Sequence, residues 1–290
     1  MIRLISAELF KLRKRAMTRI LLLVLVGILA LVYLLLLAIS KVNLPAGAPP
    51  GAGQGMGELR NAFGLPVALP FALSLLGSLG TLLAVILMAS SMGSEYNWRT
   101  IRTWLISSES RFKMLGAKLI SAGIVILLGM IIGVVFGFVM SLITTAIGGY
   151  AFDFSFATGD YLWDQFVQFW RVLYVMAPYV LLGFLFAIMG RSAMPGIALG
   201  IVVVIMEPIV TGFMTLAGGW IAEVPKYLLA ANVNRIQAMS GLPSGFRAGM
   251  GVSDTATLPS VPHAFIVLGI YSVVSCVVAF YLFRKRDVTG

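Results

Sequence analysis

The chain has 290 residues, 60% of them hydrophobic and only 11% charged, with a net charge of +10. A soluble domain carries about 25% charged residues, so one water-soluble core is excluded and an all-α integral membrane protein of several spans is expected. Its cations flank long apolar runs instead of forming a water-facing patch, which assigns the basic excess to membrane topology and argues against nucleic-acid binding.

Residues 1–19 place Ile2, Ile5, Leu9, Leu12 and Ala16 at helical spacing among Arg3, Lys11, Arg13 and Lys14. That pattern predicts an amphipathic helix on the membrane surface, although a cationic flank alone would account for the charges. Six spans follow, at approximately 20–39, 66–90, 115–147, 172–190, 193–217 and 264–283. Each reaches or approaches the roughly 20 residues that cross a bilayer. The first has too long an apolar core for a cleaved signal. If the N-terminus is inside, fifteen of the 21 Lys and Arg residues lie in inner segments. The prediction is therefore that both termini are cytoplasmic.

Between the first two spans, residues 41–65 hold Pro45, Pro49, Pro50 and five glycines, and an irregular outer loop is expected. The connection from Ser91 to Arg111 is the sizeable cytoplasmic one. Trp98, Ile101 and Leu105 share a helical face there, and Glu95 stands four residues before Arg99, a spacing that suits an ion pair. Gly129, Gly133 and Gly137 in the third span, like Gly196 and Gly200 in the fifth, let helices approach closely, within one subunit or between two. The outer segment 148–171 sets Asp153, Asp160 and Asp164 among aromatics suited to the membrane–water boundary. Glu207 precedes Pro208 near the middle of the fifth span, where a charge is costly and marks either a hydrogen bond within the bundle or a transport path. In the largest outer segment, 218–263, Tyr227, Leu228, Val233, Ile236 and Met239 predict a short amphipathic helix ending before Gly241. Lone His263 and lone Cys276 provide neither a metal set nor a disulfide, and no catalytic constellation is apparent.

Three features together resemble the membrane permease subunits of type-2 ATP-binding-cassette (ABC) transporters. The opening Glu8-Leu9-Phe10-Lys11-Leu12-Arg13 is similar to the interfacial helix that leads into that family's first span. Glu95-Tyr96, Thr100-Ile101-Arg102, Ser110-Arg111 and Lys118 resemble its cytoplasmic coupling helix, with Arg99 standing where the family often has glycine. The third feature is the six-span layout with the largest outer segment, carrying short helices, before span six. The resemblance implies an exporter of a small amphipathic molecule, lipid-like compound or peptide in a bacterial plasma membrane. It implies that Glu95, Trp98, Arg99, Arg102 and Leu105 meet an ATPase subunit. No Gly-x-x-x-x-Gly-Lys-Ser/Thr run occurs, so the chain is not expected to be an enzyme, and ATP and Mg are expected on that partner. Two permeases, identical or sister chains, and two ATPases would form the working unit among membrane lipids. The alternative is an ATP-independent secondary transporter or channel in which Glu207 binds the ion.

Overall fold

The computed structural model describes residues 1–41, 65–97, 111–149, 152, 154–242 and 258–285. The expected loop at 42–64 and the coupling segment with Trp98, Arg99, Arg102 and Leu105 lie outside the described residues, as does Asp153. All regular structure in the described residues is helical: α1 (Ile2–Lys14), α2 (Ala16–Ser40), α3 (Leu65–Leu75), a π segment (Leu76–Gly80), α4 (Thr81–Asn97), α5 (Arg111–Gly148), α6 (Gly159–Met189), α7 (Ala193–Ala217), a 3-10 segment (Gly219–Tyr227), α8 (Leu229–Gln237) and α9 (Val261–Lys285). Six of the resulting rods are long and apolar enough to cross a bilayer, which makes this a multi-pass membrane protein. Span two is α3, the π segment and α4 in one run.

The helices overrun the apolar stretches. At about 1.5 Å per residue α5 is about 57 Å long, nearly twice the roughly 30 Å hydrocarbon core. Helix α6 starts thirteen residues before Val172, because Thr158 caps it by accepting from Tyr161 N–H and Asp160 lies in its first turn. Its early turns are aromatic, with Trp163, Phe166 and Trp170 stacked in sequence, so the outer segment read from composition is largely a continuation of span four. The predicted surface helix likewise ends one residue early. Arg15 is extended (φ −67°, ψ 130°), and Ala16 opens span one instead of closing α1.

Spans two and four form the interior: 67% and 56% of their most apolar stretches are buried, against 11–22% for the other four. On one side α4 and α6 pack with α7, and α9 lies against α6. On the other, α5 packs against α3 and carries α1 and α2. Glycines set these distances. A Cβ on Gly133 would stand 2.5 Å from Leu76, and one on Gly137 2.7 Å from Ala72 Cβ. Gly196 and Gly200 meet Ala89 and Val85 of α4 with Gly183 of α6 between them, whereas Gly129 has nothing within 4 Å. Gly183 carries no such spacing in its own helix and could not have been singled out from sequence.

Candidate functional site

Two polar constellations stand out, one at each end of the bundle. At the N-terminal end, Lys118 enters from the second turn of α5 and is 1% exposed, with Glu8 of α1 at 6% and Glu95 of α4 at 2%. The Lys118 ammonium donates to Glu8 Oε2 at 2.9 Å, to Glu95 Oε1 at 3.3 Å and to the Ser91 carbonyl at 3.3 Å. Lys11 donates to Glu8 Oε1 at 2.8 Å and stands 3.5 Å from Glu95. Arg15 reaches Ser94 Oγ at 2.7 Å and Glu95 at 3.5 Å. Three cations thus share two carboxylates, an arrangement in which burial is tolerable because each charge is paired and hydrogen-bonded.

Helix geometry explains the convergence. Glu8 and Lys11 are three apart on the inner side of α1, and Leu12, 1% exposed, packs beside them. Ser91, Ser94 and Glu95 occupy one face of the last turns of α4. Burial by itself raises the Glu8 carboxyl pKa, but nearby Lys118 and Lys11 outweigh it and hold the group below its ordinary value of 4.5. Arg13 points away, exposed with Lys14 and Arg19.

At the opposite end, Glu207 of α7 acts on α8. Its Oε1 accepts from the backbone N–H groups of Leu229 and, at 3.2 Å, Ala230. A side chain 22 residues earlier therefore caps the first turn of a helix whose own N-cap residue, Leu228, has no side-chain oxygen. Glu207 Oε2 is buried without a partner. Gly218 and Gly219, at φ +70° and +60°, turn the chain back after α7. Asn232, fully buried, donates to the carbonyls of Lys226 and Leu228, while His263 Nε2 lies 2.8 Å from the Lys226 carbonyl. Val233 and Ile236 are buried against this frame, but Tyr227 and Met239 of the predicted apolar face are 64% and 37% exposed. The 3-10 geometry before Leu228 rotates Tyr227 off the helical face that its spacing implied.

The structure thus brings together Glu8, Lys11 and Glu95, which sequence reading named separately, and adds Arg15, Ser91, Ser94 and Lys118. Lys118 carried a signal of its own, an ionisable residue within an apolar run. The two serines carried none. Among the described residues no group of three His, Cys, Asp or Glu side chains is placed to hold a metal.

A family model described as Protein of unknown function (DUF2705) matches residues 62–289. The chain is also similar to the "Uncharacterized protein YhcI" of Bacillus subtilis (strain 168), 24% identical over 220 residues that cover 72% of this chain and 64% of that protein. It therefore spans a little under two thirds of that relative's length. Since the family match takes in spans two to six, with Glu95, Lys118 and Glu207 inside it, the chain belongs to the DUF2705 family.

Proposed function

We propose that this protein is the permease subunit of an ATP-driven exporter of the type-2 ABC class, with α1 as the interfacial helix and both termini cytoplasmic. The observation that supports this reading best is the buried ion cluster. The opening Glu8-x-x-Lys11, the Glu95 that leads into the 98–110 segment and the Lys118 that follows it are the fragments on which the resemblance rests, and they meet at one point. A coupling segment can move membrane helices only through a rigid contact that both share. The cluster ties the helix entering that segment to the helix leaving it and to α1, so a displacement delivered between residues 98 and 110 is passed to three elements together. In this reading Trp98 and Leu105 dock on the ATPase and Arg99 and Arg102 set register at the rim by charge. Cargo is a small amphipathic molecule, lipid-like compound or peptide.

Copurification tests it. The wild-type chain, expressed with the phosphate-binding-loop ATPase encoded beside it, retains that ATPase in detergent. A Trp98→Ala, Leu105→Ala pair releases it, losing roughly thirtyfold in affinity for about 2 kcal/mol. Retention and transport at wild-type levels by the pair would remove the docking assignment. Proton-driven transport in vesicles without nucleotide would transfer the reading to an ATP-independent transporter that uses Glu207.

A further inference from the structure

A cleft opens sideways between α2, α4 and α5, toward the surrounding membrane. Leu22 and Leu25 of α2, Leu83 and Leu87 of α4 and Val125 of α5 line it, and Leu76 of the π segment closes it near mid-membrane. From Leu76 to Leu87 it runs about 16 Å along span two, half the roughly 30 Å hydrocarbon core and so the depth of one leaflet. Its volume is about 670 Å³ counting the open side. That gives a mean cross-section of about 42 Å², half of the roughly 80 Å² that a helix 10 Å wide would fill. A second protein helix is too thick for it, whereas an extended hydrocarbon chain fits.

The cleft is apolar along its length and polar at one end. Thr18 lines it at the N-terminal end, and Ser91 stands one turn beyond Leu87 on α4, itself 1% exposed. The Thr18 and Ser91 hydroxyls are both buried without a hydrogen-bond partner. Arg15 lies one turn before Thr18, Arg19 follows it, and Arg13, Lys14 and Arg19 are exposed. Donor hydroxyls and a surplus of cations at the mouth complement a phosphate, while the remaining depth complements an acyl chain.

We propose that this cleft binds one anionic phospholipid drawn from the leaflet on the N-terminal side, with an acyl chain between Leu76 and Leu87 and its phosphodiester beside Thr18, Ser91 and Arg19. The site is independent of the transport reading and stands whether or not an ATPase is bound. Gly129 supplies the test, because it lines the cleft and a Cβ there meets nothing within 4 Å. Gly129→Leu therefore fills the space without touching a neighbouring helix. Gly123→Leu, equally unobstructed and outside the lining, is the control.

The whole chain in mild detergent is supplied with phosphatidylglycerol and phosphatidylcholine in equal amounts, and retained lipid is counted by native mass spectrometry. One phosphatidylglycerol per chain is expected to survive conditions that strip phosphatidylcholine. Gly129→Leu lowers that retention at least tenfold, Gly123→Leu leaves it unchanged, and Arg19→Gln narrows the preference between the two headgroups. Equal retention of both lipids, retention of free fatty acid instead, or full retention by Gly129→Leu would overturn the proposal. A phosphatidylglycerol with a photoreactive acyl chain provides a readout on the unaltered protein: adducts on α2, α4 and α5 peptides around 22–25, 83–87 and 125 support the site. Adducts spread evenly over the outer faces of α7 and α9 refute it.

Discussion

A lysine buried to 1% at the head of a membrane-crossing helix persists only with carboxylates at hand, and Lys118 has Glu8 and Glu95. Replacing it by methionine preserves length and apolar volume but leaves the two carboxylates to Lys11 and Arg15. The expected cost is about 3 kcal/mol, at the low end for breaking a buried pair because those cations remain. Unfolding in detergent measures it. Adding Glu8→Gln to Lys118→Met should cost less than the two single losses combined, the mark of direct coupling. Acidity acts on the same contact. The Glu8 carboxyl titrates below 4.5 when folded, so its contribution is fully present above the unfolded value and is lost as pH falls through the folded one. Amide-exchange protection of α1 should accordingly hold from neutral pH to about 4.5 and fall below it, while that of α6 does not. A Glu8→Gln chain should lack this step.

At the scale of elements, α8 is nine residues long, too short to be stable in isolation. It is held by Glu207, by Asn232 and by the burial of Val233 and Ile236. Glu207→Leu uncaps it at a cost of about 0.5–2 kcal/mol, whereas Glu207→Gln keeps an accepting oxygen and most of the cap. With a cysteine at Ile236, labelling by a water-soluble maleimide should be slow in the parent and clearly faster with Glu207→Leu. A cysteine at Tyr227 should label quickly in both. Glycine contacts give a second prediction: Gly133→Leu drives a side chain into Leu76 and costs about 1–3 kcal/mol or more, while Gly129→Leu costs little. Sequence spacing could not separate these two glycines, since both sit on one stripe of α5. What distinguishes them is how close span two comes, a property of tertiary packing. The six rods themselves were legible, because apolar length alone defines them. The start of α6 was not, because a capped aromatic helix emerging from a membrane has the composition of an outer loop.

For the whole molecule, the excess of cations near one end of the bundle makes orientation testable. Single cysteines replacing Arg3 and Arg284 should react from the cytoplasmic side alone, and ones replacing Glu223 and Trp220 from the outside alone. The opposite pattern would invert the assignment of the ion cluster to the cytoplasmic end. Sequence reading found Glu8, Lys11, Glu95 and Glu207 but not what joins them, since Glu8 meets Lys118 across 110 positions and Glu207 meets α8 across more than twenty. Such partners are set by how helices stack, which a local pattern does not encode. The π segment at Leu76–Gly80 has a bearing on that stacking. A wide turn of this kind holds one residue more than an α-turn, and each residue advances a helix by about 100°. Span two is therefore built from two halves out of phase with each other, the outer half presenting Ala72 and Leu76 to α5 and the inner half turning Val85 and Ala89 toward α7. Deleting any one residue of the five would let the rod close into a regular helix and rotate everything below it by more than a quarter turn. Ser91 and Glu95 would swing away from Lys118 although no contacting residue had been altered. In this helix a loss of one amino acid would act as a change of gear, and a one-residue insertion a few turns further along would restore the mesh.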